Sequence, residues 1–443
     1  MIIAMSKNNI TKLLLFIVYG FLFISSTFIL IVRVFIGYDF ATGVTNGLFI
    51  PYLQYFTSLS NFYNGFVSLA VLIYAFIHIK DKKIVFPKLL KVFALTAAIG
   101  VTVTFLITVT FLVFVIEDKQ YLFSNELLFF HIINPLLTAS SFILLLRSRK
   151  LIVKYACFGF ILLFIYSFFY SVFVISGVWN DFYNFTFGGH YWTIFIFFPA
   201  IIALGYGLSF LFIKLNNKYF YPYKRHALIL LGGKGTRMGK DTPKQFLTKN
   251  NKPLYLYTVE RYSSLEEIDD ITLVVAEEYI DRVKEETAIY PKVEKIVKGG
   301  NCRARSSFEG LSAILYDHKE RDCVLIADAV RVNTSEDIIY RNILALEDSR
   351  AVLTAIVGEK QKERIDTSHT KNGINYLAQT PQSFRLGYIM SLYFSIDWHN
   401  DPMQLTDDIT LVKMEKQDYE IVLGSPDNYK ITRQEDFDRF LNE

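Results

Sequence analysis

Apolar and polar positions divide the chain in two. Residues 1–215 are crowded with Phe, Leu, Ile and Val, whereas residues 222–443 carry most of the Asp, Glu, Lys and Arg. In the first half, Leu13–Ile36, Leu48–Ile77, Leu89–Ile116, Leu127–Leu146, Leu151–Gly177 and Tyr191–Ile213 are apolar runs of about 20 residues or more, long enough to cross a bilayer as helices. In the second half short apolar runs alternate with amphipathic ones. Ala227–Leu231, Ile271–Val275, Lys295–Val297, Cys323–Ala327, Ala351–Thr354 and Ile374–Leu377 read as strands. Pro253–Ser263, Tyr279–Thr287, Arg303–Leu315, Ser335–Leu346 and Gln434–Leu441 read as helices. That order predicts a mostly parallel sheet covered by helices on both faces, with ligands gathered at the carboxyl ends of the strands. The expected organisation is an all-α membrane domain of six helices over residues 1–215, a linker over 216–224 and an α/β Rossmann-like domain over 225–443.

Charge between the apolar runs orients them, because cytoplasmic loops retain Lys and Arg. Lys7 and Lys12 precede the first run, five lysines from Lys80 to Lys91 separate the second from the third, and Arg147, Arg149, Lys150 and Lys154 join the fourth to the fifth. Lys214, Lys218, Lys224 and Arg225 follow the sixth. The other three connections hold Asp39, then Glu117, Asp118, Lys119 and Glu126, then Asp181. Both termini and the α/β domain are therefore expected on the cytoplasmic side of the plasma membrane. The stretch Asn216–Lys224 places Tyr, Phe and Lys where an interface favours them. Cys157, Cys302 and Cys323 have no metal-binding spacing, in keeping with a reducing compartment.

The chemistry begins where the strand Ala227–Leu231 empties into Gly232, Gly233, Lys234, Gly235, Thr236 and Arg237. Glycines let successive backbone N–H groups face one anion, and Arg237 and Lys244 add two cations, with Pro243 stiffening the loop before Lys244. The spacing is neither a Walker A loop nor a dinucleotide fingerprint, and a Gly-rich surface turn is the plainer reading of the glycines alone. Further clusters follow. Gly299 and Gly300 precede a helix on which Arg303 and Ser306 share a face. Asp328 ends a strand, with Arg331 three residues on; it suits Mg²⁺, or caps a helix starting near Asn333. Gln379-Thr380-Pro381-Gln382, Leu405-Thr406-Asp407-Asp408 and Asp427 to Thr432 complete the set, Asp427 and Lys430 lying three apart.

Taken in order, GGKGTRMG, PKQF, GGNCRARS, ADAVR, QTPQSF, LTDD and DNYKIT resemble the cytidylyltransferases that activate polyol phosphates, over nearly all of residues 225–443. These act on methylerythritol phosphate in isoprenoid synthesis or on ribitol 5-phosphate for teichoic-acid-type polymers, and GGKGTRMG and AQTPQSF look more like the ribitol branch. The resemblance implies that Leu231, Gly232, Gly233 and Gly235 line the CTP triphosphate, with Arg237 and Lys244 neutralising it. It further implies that Gly300, Arg303 and Ser306 hold cytosine, that Asp328 and Asp427 act at Mg²⁺ and the sugar hydroxyls, and that Lys430 sits near the α-phosphate. Arg331, Lys371, Thr380 and Thr406 would line the polyol-phosphate pocket, which in this family also receives a cation from a second subunit's arm. Arg237, Lys244, Asp427 and Lys430 are the catalytic candidates. The chain departs from the family pattern at Ala327, Val332, Val357-Gly358-Glu359-Lys360 and Lys371.

In the apolar half, the polar residues of YFTSLSN (Thr57, Ser60, Asn61) and FFHIINP (His131, Asn134) either tie helices together or do chemistry. Both segments resemble six-helix proteins of the androgen-induced type, some of which hydrolyse lipid esters, which would make Thr57 a nucleophile and His131 its partner. The leading expectation is thus a membrane-tethered CTP:polyol-phosphate cytidylyltransferase. Its partners are CTP, a polyol phosphate, the lipid bilayer and a second copy of the chain, with no role for nucleic acid. The alternatives are a methylerythritol-phosphate enzyme, a Thr/His lipid hydrolase in the membrane half, and a non-catalytic transporter or scaffold.

Overall fold

The computed structural model describes residues 7–36, 50–115, 119–232, 242–358, 368–371, 373–398 and 405–443, and its chain forms two units, Met1–Pro222 and Tyr223–Glu443.

In the first unit, six helices among the described residues are long and apolar enough to cross a membrane: Lys7–Ile36, Phe56–Ile77, Lys88–Val115, Asn125–Leu144, Val153–Ile175 and Tyr191–Phe220. Each turns large apolar side chains outward, among them Ile17, Phe76, Leu89, Leu136, Phe168 and Phe195. Polar side chains turn inward, where a hydrocarbon surround would leave them unpaired. Asn134 is fully buried; its amide donates to Ser26 Oγ at 3.2 Å and Asn61 Oδ1 at 3.0 Å, and its carbonyl accepts from Ser25 Oγ at 2.7 Å. Thr138 donates to Asn64 Oδ1, and Ser60 lies 3.2 Å from Thr104 Oγ1. These polar residues hold helix to helix. The last helix runs further than its hydropathy implies. Asn216, expected in the linker, is buried and donates to the Phe142 carbonyl at 2.8 Å, and Asn217 donates to that of Leu151 at 2.7 Å. Only Tyr221–Lys224 separates this helix from the first strand.

In the second unit, ten strands form among the described residues: β1 Arg225–Leu230, β2 Thr248–Lys249, β3 Lys252–Pro253, β4 Asp270–Val275, β5 Val293–Lys298, β6 Cys323–Asp328, β7 Ala351–Val357, β8 Ser368–Lys371, β9 Ile374–Arg385 and β10 Glu420–Leu423. β2 and β3 pair only with each other; the rest make one sheet in the order β10-β7-β9-β6-β1-β4-β5, with β8 on β9. β1, β4 and β6 are buried along their whole length and parallel, as the continuous apolar runs predict. β9 runs antiparallel to both neighbours, β6 and β7. QTPQSF, expected at a strand's end, therefore lies inside a strand. Helices Leu254–Ser263, Ile280–Thr287, Arg303–Asp317, Glu336–Ala345 and Gln434–Asn442 match the expected ones, and Leu386–Phe394 and Ile409–Met414 are additional. The register sets Leu230 beside Asp328, so β1 and β6 end together at one edge of the sheet.

Candidate active site

β6 carries Asp328 to the carboxyl edge of the sheet, where it is buried among cations. Lys430 Nζ lies 3.0 Å and Arg331 Nε 3.3 Å from its Oδ2, and Arg303 Nε lies 4.0 Å from its Oδ1. Burial alone would push this carboxyl up; Lys430, Arg303 and Arg331 reverse that and hold it far below the usual carboxylate range. The backbone N–H of Asp328 donates to Thr380 Oγ1 at 3.0 Å, which fixes the strand end from β9. Asp328 is not a helix cap, since Ser335 accepts from Ile338 N–H at the start of the next helix.

Arg303 is a bridge. Its Nη1 lies 2.7 Å from Oδ2 of Asp408, a fully buried carboxylate whose other oxygen accepts from Tyr393 Oη at 2.6 Å. Gln382 Oε1 accepts from the N–H groups of Asp408 and Ile409, both at 3.0 Å. Burial opposes the Arg303 charge, but Asp408 and Asp328 outweigh it and raise its pKa. Arg331 is also anchored, donating to the carbonyls of Asn428 at 2.6 Å and Ala378 at 3.4 Å. Asn428 in turn donates to Gln379 and the Thr380 carbonyl and accepts from Thr334. Lys244 donates to the carbonyl of Ile431, the residue after Lys430, at 3.2 Å. Gln245 donates to the Leu231 carbonyl at 2.7 Å and so ties the two ends of the glycine loop.

The expected residues thus sort into groups. Asp328, Lys430, Arg303, Arg331 and Thr380 come together, and Lys244 is held beside them. Gly233, Gly235 and Arg237 lie outside the described residues, as do Glu359 and Lys360; Gly232 is exposed at the end of β1. Ser306 builds a loop rather than presenting a free hydroxyl: its Oγ accepts from Gly300 N–H at 3.1 Å and donates to the Cys302 carbonyl at 3.0 Å. A Cβ at Gly300 would stand 2.2 Å from Arg305 Cγ, so this turn requires glycine. Arg331 and Thr380, expected at the polyol-phosphate pocket, both have protein partners: Arg331 the Asn428 and Ala378 carbonyls, and Thr380 the Asp328 N–H. Lys371, expected at the same pocket, pairs with Asp418 at 2.6 Å and stands over the Tyr419 ring. Thr406 is exposed. Asp427 is exposed too, with Arg439 Nη2 at 3.3 Å and Ser425 Oγ at 3.4 Å from its carboxylate. An Mg²⁺ that takes most ligands from phosphate and water fits Oδ1 of Asp328, whose nearest cation there is Arg303 Nε at 4.0 Å. Asp408, Gln382, Tyr393, Asn428 and Gln379 were not among the expected site residues, although LTDD, QTPQSF and DNYKIT contain four of the five.

In the first unit, Thr57 borders an apolar pocket with Phe56, Thr104, Tyr166, Tyr183 and Phe198. His131 is not part of that lining; its Nδ1 lies 2.7 Å from the Leu122 carbonyl. Thr57 and His131 share no hydrogen bond among the described residues.

The family model for 2-C-methyl-D-erythritol 4-phosphate cytidylyltransferase matches residues 226–440. A Clostridium botulinum (strain Loch Maree / Type A3) protein of that name is 34% identical over 222 residues, covering 48% of this chain and 94% of the relative. A Vibrio parahaemolyticus ribitol-5-phosphate cytidylyltransferase is 32% identical over 222 residues, covering 48% and 92%. A sheet edge lined with anchored cations, in a chain so related, defines a nucleotidyltransferase. A solved 4-diphosphocytidyl-2C-methyl-D-erythritol synthase from Anaerococcus prevotii is 27% identical, covers 50% of this chain and 95% of its own, and superposes with a TM-score of 0.41. Through its C-terminal half the chain belongs to the 2-C-methyl-D-erythritol 4-phosphate cytidylyltransferase family.

Proposed function

We propose that the protein transfers CMP from CTP to a sugar-alcohol phosphate, ribitol 5-phosphate before methylerythritol phosphate, from a domain tethered to the membrane. The carrying observation is the convergence of Lys430, Arg303 and Arg331 on Asp328, with Lys244 beside them. An acceptor phosphate oxygen forms a bond to the α-phosphorus of CTP; the bond from that phosphorus to the β-phosphate bridging oxygen breaks, and pyrophosphate leaves with the electron pair. A phosphate monoester, with its second pKa near 6, is already largely ionised at neutral pH, so no general base is required. Lys244 and Lys430 offset charge that grows on the phosphoryl oxygens, while Arg303 and Arg331 hold Asp328 in place. Mg²⁺, when bound at Asp328, supplies further compensation of phosphate charge.

Ribitol 5-phosphate is favoured by GGKGTRMG and AQTPQSF, and by Lys371, whose charge is engaged by Asp418 within the same chain. The test is pyrophosphate release by the detergent-solubilised full chain with CTP, Mg²⁺ and ribitol 5-phosphate, methylerythritol 4-phosphate or glycerol 3-phosphate in parallel. Turnover fastest with ribitol 5-phosphate and lost in Lys430→Ala supports the reading; turnover with methylerythritol 4-phosphate alone reverses the substrate assignment. Tethering rests on the outward apolar faces of the six helices and the placement of cations between them. Protease protection in sealed inside-out vesicles tests it, since cleavage of residues 223–443 must occur from outside those vesicles.

A further inference from the structure

The amino ends of the same strands hold a second cluster that the transfer reaction does not use. The parallel register sets His226, on β1, directly beside Asp270, on β4. His226 is fully buried, and its Nδ1 lies 2.8 Å from Asp270 Oδ1. Its Nε2 is buried with no hydrogen-bond partner, as is Asp270 Oδ2. Asp322, just before β6, is buried, with Oδ2 3.8 Å from His226 Nε2. His318 caps the carboxyl end of the helix Arg303–Asp317; its ring centroid is 4.2 Å from that of His226, and its Nε2 is 3.7 Å from Asp270 Oδ2.

We infer that His226, His318 and Asp322 form a binding site for a divalent transition metal of the zinc class. One ligand atom from each lies within 4.8 Å of the others. A tetrahedral zinc site requires ligand atoms roughly 3.3–3.5 Å apart, so side-chain shifts of about 1 Å close the site. Asp270 acts as the outer carboxylate. A neutral His226 that donates Nδ1–H to Asp270 points the lone pair of Nε2 inward, the arrangement that orients metal-bound imidazoles. Asp322 is itself fixed, its Oδ1 accepting from Lys224 N–H at 3.2 Å and its Oδ2 from Lys319 N–H at 3.0 Å. The helix carboxyl end also favours a cation at His318. Lys295, the neighbouring cation on β5, is occupied by Asp317. Water completes the fourth position, and an open cleft lined by Leu315, His318, Lys319, Glu320 and Arg321 borders His318.

The detergent-solubilised full chain, stripped with chelator and then dialysed at neutral pH against micromolar Zn²⁺ with Mg²⁺ in large excess, should retain one Zn²⁺ per chain. His318→Ala should lose it, and Asp270→Asn should weaken it about 10–100-fold, the usual effect of removing an outer partner. Both variants should keep cytidylyl transfer, which shows that they fold. Co²⁺ in the unaltered protein should give the intense visible absorption of a four-coordinate site, a readout that needs no variant. Zn²⁺ retention equal in the unaltered chain and His318→Ala, or no such Co²⁺ absorption, overturns the assignment.

Discussion

Asp408→Asn is the most informative perturbation of the catalytic edge. The carboxylate is fully buried and meets Arg303 at 2.7 Å, and the substitution removes its charge while keeping its size. Breaking a buried pair from one side costs about 3–5 kcal/mol, because the remaining charge is left without compensation. The Arg303 side chain keeps 24% of its surface exposed, so water recovers part of that loss. A loss of about 2–3 kcal/mol follows. For a domain of this size that lowers the melting midpoint by about 5–10 °C. The assay is scanning calorimetry of the full chain in detergent, following the transition that CTP shifts upward. Freed from Asp408, Arg303 turns toward Asp328, 4.0 Å away, and competes with Lys430 for it. Transfer should fall along with stability. A double-mutant cycle with Arg303→Met isolates the pair, and the two substitutions should fail to add by about 1 kcal/mol or more. A midpoint shift below about 1 °C for Asp408→Asn, or strict additivity in the cycle, refutes the bridging role of Arg303.

Lys430→Ala should reduce kcat on the order of 10²-fold, as loss of a preorganised charge at a phosphoryl group does; Lys430→Arg should recover part of it, and equal rates for Lys430→Ala and the parent exclude the assignment. Gly300→Ala drives a methyl group into Arg305 and should raise the KM for CTP with about 1–3 kcal/mol of destabilisation, read by the same calorimetry; an unchanged KM counts against the turn as part of the nucleotide site. Burial lowers the pKa of His318. The unfolded chain then binds more protons below its pKa of about 6.5, so with metal removed, stability is full above that pH and declines as pH falls through it toward the lowered folded value. The slope is at most ~1.4 kcal/mol per pH unit for one group, and His318→Gln should flatten it; an undiminished slope in that variant would assign the titration elsewhere.

Element type was legible wherever period and length agreed. β1, β4 and β6 are continuous apolar runs flanked by turn residues, and burial on both faces is what such runs mean. Pro381 conceals β9 in the sequence, because proline withholds a ladder N–H. The structure accommodates it at a bulge. Pairing with β7 jumps from Leu353–Gln382 to Thr354–Gln379, leaving Thr380 and Pro381 unopposed, and Thr354 Oγ1 donates to the Pro381 carbonyl at 2.6 Å. That bulge aims Thr380 at the N–H of Asp328, a role no local pattern could reveal. The end of the last apolar helix is concealed in a similar way. Asn216 and Asn217 look like a helix stop, yet both reach carbonyls of other segments. Motifs marked segments that meet around Asp328, but not which of their members the protein itself engages. Arg331, Thr380 and Ser306 turned out to be engaged by the protein, because a motif's residues include those that build the loop as well as those that use it.

The two clusters occupy opposite ends of the same strands, and this constrains how they can communicate. From Arg225 to Leu230 the pairing of β1 with β6 is unbroken, and every residue along β1 and β6 is buried. From His226 to Leu230, the residue paired with Asp328, four residue steps at about 3.3 Å put roughly 13 Å of close-packed sheet between the two clusters. A packed sheet has no second arrangement to switch into, and coupling needs an element with two states. A metal at His226, His318 and Asp322 should therefore stabilise the domain by its own binding energy without altering the KM for CTP. The helix Arg303–Asp317 is the element that touches both ends, with Arg303 at the catalytic edge and His318 just past its far terminus. If zinc does change the KM for CTP, axial movement of that helix is the route, and a helix-length change of Arg303 relative to Asp408 is where it would register.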